Sequence, residues 1–144
     1  MDEPDLQLCG LSIWVNGHEF PDAPHYWDRN WLKVRATMEA GQASVTTEGP
    51  ILMTRDFERF RFQLATMNDE LTGEAVLSGY EPNLKVTLSA GRLGHITGKV
   101  EITPDHLSQF HRFDVRFDQT YLSALVGSLD VVLDRYPVVD WPES

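Results

Sequence analysis

The chain has 144 residues, 42% of them hydrophobic and 24% charged, an ordinary globular composition that excludes a disordered or fibrous protein. Twenty-two acids against twelve Lys and Arg give a formal charge of −10, spread along the chain as a field that repels nucleic acid and anionic membranes and speeds encounter with a basic partner. Cys9 is the only cysteine, which excludes an internal disulfide and a cysteine-based metal cluster, and its apolar neighbours predict a buried, inert thiol.

The start, Met1-Asp2-Glu3-Pro4-Asp5, is acidic and lacks the basic and apolar regions of a secretory signal. With no apolar run near the roughly 20 residues of a membrane helix, a cytoplasmic location is expected. Leu6 and Leu8, then Leu11, Ile13 and Val15, alternate with a slip in phase at Gly10, where a β-bulge is expected. Asn16-Gly17 carries the strongest short hairpin signal, and Phe20-Pro21-Asp22-Ala23-Pro24 reads as a surface loop. Leu32, Val34, Ala36 and Met38 alternate with polar residues as a half-buried strand. Gly41 turns the chain, Ala43, Val45 and Thr47 return it, and Gly49-Pro50 is expected to close this segment.

A helix is predicted from Thr54 as cap, with Asp56 and Glu58 in its first turn and Phe57, Phe60, Leu64 and Met67 on one stripe. Four more strands follow. One lies near Ala75 to Gly79 and leads into Tyr80-Glu81-Pro82, and one carries Leu84, Val86 and Leu88. The next has Ile96, Val100 and Ile102, with Gly98 in an inward slot that implies a close approach, and the last has Phe113, Val115 and Phe117. Asp118 reads as the cap of a final helix from about Thr120 to Arg135, with Leu122, Leu125, Val126, Leu129, Val132 and Leu133 at helical spacing and Pro137 as its stop. The expectation is one α+β domain over residues 1–144, a single antiparallel sheet of about six or seven strands with two helices packed against it.

The sequence holds no GxGxxG, P-loop, nucleophile elbow, HExxH or CxxC pattern. Gly91-Arg92-Leu93-Gly94 joins two predicted strands and reads as a hairpin turn, since a phosphate cradle needs a helix N-terminus behind it. His106 and His111, and His18 and His25, have spacings that do not place two imidazoles on one helical face, and His95 opens a strand. Glu101 and Asp114 fall on an outward strand face, and Ser12, Ser44, Ser78 and Ser89 have no elbow around them. No enzymatic activity, cofactor or metal is expected. A pocket lined by Trp14, Phe57 and Phe60, serving a small ligand, is a second possibility, and a structural subunit of a larger assembly is a third.

One cluster stands apart. Tyr26-Trp27-Asp28-Arg29-Asn30-Trp31-Leu32 sets three large aromatics around a polar turn, either as interface anchors or as rings that pack on the sheet while Asp28 and Asn30 make the turn. This stretch resembles the D-x-N-W-L signature of the WapI-type immunity proteins of bacterial polymorphic-toxin and contact-dependent inhibition systems. The helix from Thr54, the Glu81-Pro82 step and the Tyr121-Leu122 helix ending at Tyr136-Pro137 extend the resemblance from about Leu6 to Pro137. It implies a small cytoplasmic protein, a monomer or small homo-oligomer, that binds and neutralises a cognate toxin domain, often a nuclease. Trp27 and Trp31 are then the expected anchors and Asp28 and Glu81 the expected charged contacts.

Overall fold

The computed structural model describes residues 2–141. Alternating apolar and polar residues build eight strands among them. Strands β1 (Leu6–Leu8), β2 (Leu11–His18), β3 (Trp31–Ala40) and β4 (Ala43–Met53) form one antiparallel sheet in that order. Helix α1 (Thr54–Glu70) intervenes. Strands β5 (Glu74–Leu77), β6 (Leu84–Ala90), β7 (His95–Ile102) and β8 (His111–Asp118) then form a second antiparallel sheet, and helix α2 (Leu122–Arg135) follows.

The fold is α+β with two helices, but the single sheet of six or seven strands is replaced by two sheets of four. Alternation reports which face of a strand is buried and not which strand lies beside it. Helix α1 carries the chain away after β4, and β5 begins a new sheet instead of pairing with the old one.

The two glycine signals in the first sheet exchange roles. Cys9-Gly10 is not a bulge: it is the two-residue turn of a hairpin that pairs Leu8 with Leu11 and Leu6 with Ile13. A side chain at Gly10 would collide with the Glu39 carbonyl oxygen, so this approach requires glycine. Asn16-Gly17 is not a hairpin: it lies inside β2, where Gly17 has φ 113° and the register to β3 shifts between Val15 and His18. The turn also brings Cys9 to the surface, against the expectation of a buried thiol. Its sulfur lies 3.7 Å from the Arg116 carbonyl oxygen, and the desolvation there pushes the thiol pKa up. Gly49-Pro50 does not close the segment either; β4 continues to Met53. As the edge of its sheet, β4 tolerates a residue with no N–H to donate.

Helix α1 starts with Thr54 inside it and not as its cap: the N-cap is Met53, whose N–H donates to Asp56 Oδ2 at 2.8 Å. It ends at Leu71, which takes a left-handed conformation (φ 57°) while its N–H donates to the Met67 carbonyl. Phe57, Phe60, Leu64 and Met67 are buried as one stripe, as are Leu122, Leu125, Leu129 and Val132 of α2. These two stripes and the inward faces of both sheets form one buried cluster. The helices pack on each other, α1 also on β5 and α2 on β1. Gly98 makes the expected close approach, since a side chain there would strike Leu88 and the Thr87 carbonyl. Neither helix is long and apolar enough to cross a membrane.

Asp118 caps a short 3₁₀ turn, Gln119–Tyr121, that leads into α2. Its carboxylate accepts from the Thr120 N–H at 3.0 Å, and the Thr120 backbone and hydroxyl hold its pKa below the ordinary 3.8. A group with a depressed folded pKa contributes stability above its unfolded pKa and loses it as pH falls through the folded one. Asp105, held down by Ser108 and the Leu107 N–H, adds in the same direction. Asp118→Asn should therefore flatten the loss of stability on acidification below pH 3.8. Urea midpoints measured across the carboxylate range for both proteins check this.

Candidate functional site

Between β2 and β3 the cluster Tyr26–Asn30 forms a 3₁₀ turn. The Trp27 N–H donates to His25 Nδ1 at 3.2 Å, and the His25 ring stacks on Tyr26 at 4.9 Å. Asn30 is fully buried. Its Nδ2 donates to the carbonyls of Tyr26 (3.4 Å), Trp27 (3.3 Å) and Val139 (3.0 Å), and its Oδ1 accepts from the Val139 N–H at 2.8 Å. One side-chain amide thus closes the turn and clasps the chain beyond α2. A second tie is the ion pair between Arg55 and Asp140 at 2.8 Å. Residues up to Trp141 pack back onto the fold, with the Trp141 ring edge-on to Tyr26 at 5.2 Å. Residues 142–144 of that tail lie outside the described residues.

Trp27 is half-buried, with the Arg55 guanidinium over its ring at 5.2 Å and Tyr80 6.4 Å away. Asp28 and Glu81 are exposed. The Trp27–Tyr80 contact therefore gathers Trp27, Asp28 and Glu81, from two distant segments, at one end of the molecule. Trp31 is apart from them: half-buried, it opens β3 opposite Met53, on the strand face away from Leu32. Below Trp27 and Tyr80 lies a cleft of about 250 Å³ bordered by Arg55, Asp56, Arg59 and Gly79. Desolvation pushes the Asp56 carboxyl up, against the Met53 N–H and Arg59 (3.1 Å), which pull it down. The two arginines of the cleft are bonded to Asp140 and Asp56, which leaves the cleft close to charge-balanced.

The other titratable residues have structural surroundings. His18 Nδ1 meets the Arg29 carbonyl at 3.0 Å, and its ring meets Tyr136 edge-on at 5.3 Å. His111 Nε2 lies 3.1 Å from Gln109. Among the described residues no three His, Cys, Asp or Glu side chains converge as a metal site would require. Asp114 faces Lys99, and Glu101 faces Lys85 and Arg112, across the outer face of the second sheet, where opposite charges offset each other. Phe57 and Phe60 are fully buried in the core, whereas Trp14 lies on the outer sheet face under Arg35, 5.0 Å from its ring. These three residues do not line one pocket.

The turn at Tyr26–Asn30 with its buried Asn30, the helix from Thr54 and the helix ended at Tyr136 are the features on which the resemblance rested. A model of the immunity protein WapI-like family matches residues 5–137. The chain belongs to that family. No curated protein matches it. Among solved structures, a chain of the CdiA-CT/CdiI toxin and immunity complex from Enterobacter cloacae is similar, with a TM-score of 0.48 and 11% identity, over 84% of this chain and 99% of that one.

The structure also gives weight to residues that their local sequence does not single out. Asn30 was legible only as a turn former, because its decisive partner, Val139, is 109 residues away. Tyr80 and Phe110 are large aromatics in loops between strands, 73% and 71% exposed. That placement was itself a signal, since an aromatic in a polar loop has no sheet face to cover.

Proposed function

We propose that this protein binds a cognate toxin domain and neutralises it by occlusion, in the cytoplasm, as one domain and as a monomer or small homo-oligomer. Membership of the WapI-like immunity family carries the reading. The net charge of −10 adds the chemistry of the partner: a nuclease must hold phosphates, so its surface is basic and complementary to this one. Trp27, Asp28, Trp31 and Glu81 are proposed contacts, with the exposed carboxylates at Asp28 and Glu81 steering the encounter. No catalytic step, nucleic acid or membrane enters this function.

Co-expression with the toxin domain encoded beside this gene tests it. Growth arrest should be relieved and a complex should elute on size exclusion; unrelieved arrest with no complex overturns the proposal. Steering by charge is screened over about 8 Å at physiological ionic strength. The association rate should therefore fall markedly as salt rises while the dissociation rate changes less. A salt-independent association rate would remove electrostatics from the account.

A further inference from the structure

The aromatic residues at the end that carries Trp27 form a connected series. Trp141 meets Tyr26 at 5.2 Å, Tyr26 meets Trp27 at 6.5 Å, and Trp27 meets Tyr80 at 6.4 Å. Next to Tyr80, Gly79 borders a second cleft, which Glu81 and Phe110 also line. Four segments far apart in sequence thus meet in this region, three of them ring to ring and the fourth, with Phe110, across the second cleft. These are the turn before β3, the β5–β6 loop, the β7–β8 loop and the chain after α2.

Three of these rings do little for the fold. Tyr80, Phe110 and Trp141 are 73%, 71% and 69% exposed, so most of their apolar area still faces water. Exposed aromatic rings gathered in one region of an otherwise polar surface mark an interaction site. The support beneath it is rigid: Asn30 fixes the turn, and Arg55 is held between the Trp27 ring and Asp140. Pre-ordering of this kind lowers the entropy lost on binding.

Charge selects the occupant. Of the cations at this end, Arg55 and Arg59 are bonded to Asp140 and Asp56, while Arg29 in the turn and Lys85 in the second cleft have no carboxylate within 4.0 Å among the described residues. Against these two stand four carboxylates that also lack an ion-pair partner within 4.0 Å among the described residues, Asp22 and Asp28 around one hollow and Glu81 and Glu101 around the second cleft, so the balance is negative. A second copy docking here would set like charges against each other. We infer that Tyr80, Phe110 and Trp141 form the apolar centre of the surface that meets the toxin, and that the matching surface presents an apolar side chain ringed by lysines or arginines. The inference rests on the immunity reading and goes beyond it: the anchors are contributed by two loops and the chain after α2, with Trp27 as their support.

The test uses the full chain and the toxin domain encoded beside its gene, with rates measured by surface plasmon resonance. Tyr80→Ala and Phe110→Ala should each weaken binding by at least about 30-fold, the level of an interface hot spot, mainly through faster dissociation. Tyr80→Phe should retain wild-type affinity. Asp28→Lys and Glu81→Lys should slow association by about 10-fold, with a shallower dependence on salt. Leu93→Ala is the control: Leu93 is 92% exposed at the β6–β7 turn, the opposite end of β6, and its loss should change nothing. All variants should keep the wild-type urea midpoint. If wild type binds and relieves arrest while Tyr80→Ala and Phe110→Ala bind as tightly as wild type, this surface is wrong and the immunity function stands. A wild-type protein that does not bind overturns both. A homodimer abolished by Tyr80→Ala would assign the patch to self-association and overturn the inference.

Discussion

Phe60→Ala is expected to lower the unfolding free energy by about 3–5 kcal/mol, the range for truncating a fully buried aromatic. Phe60 is 0% exposed and lies on the α1 stripe with Phe57, Leu64 and Met67. It belongs to the cluster to which both sheets and both helices contribute. A cavity here removes contacts shared by several elements, and helices held at both ends cannot easily collapse into it. The stability loss should therefore appear as one shifted urea transition with an unchanged slope. A loss below about 1 kcal/mol would mean that the sheets and helices do not share this core. A second, separate transition would show that each sheet is stable without the other.

Asn30→Ala is expected to cost about 2–3 kcal/mol, because each buried polar group left without a partner costs about 1–3 kcal/mol. The substitution orphans both the N–H and the carbonyl of Val139 and removes the side-chain bonds to the carbonyls of Tyr26 and Trp27, which keep their backbone partners in the 3₁₀ turn. Release of residues 138–141 to water limits the cost, and that release is the diagnostic. Hydrogen exchange at the Val139 amide should accelerate in the variant. Asn30→Asp keeps the acceptor for that amide but loses all three donated bonds and buries a charge, so it should be no more stable than the alanine variant. Unchanged exchange at Val139 would mean that the Arg55–Asp140 pair alone holds this segment.

Much of this architecture was legible in the sequence because it depends on periodicity. The helices, and the inward residues of β3, β6, β7 and β8, follow from spacing alone. What was not legible depends on partners distant in sequence. Asn16-Gly17 carries the stronger local turn signal, yet the chain turns at Cys9-Gly10, where the Glu39 carbonyl packs against the glycine, a neighbour that local sequence does not reveal. Pro50 looked like a stop because the sequence does not reveal that β4 is an edge strand. The candidate site divided in the same way. The aromatic cluster before β3 was visible as a local motif, and Asp28 and Glu81 are exposed as that reading required. That Tyr80 and Trp141 lie against this turn was not legible, because they come from segments far away in sequence.

The strand order in both sheets, each strand beside its neighbours in the chain, has a consequence for how the molecule assembles. No strand waits for a distant segment before it can zip onto the growing sheet, so loop closure costs little at each step. For a protein rich in strands this is a topology of low contact order, one that favours rapid collapse of each meander. The sequence-distant event comes when the start of the chain meets its last helix. Tyr121 then donates its hydroxyl to the Gln7 carbonyl across 114 residues, and α2 packs on β1. Docking of α2 on β1 therefore closes one of the longest loops in the fold.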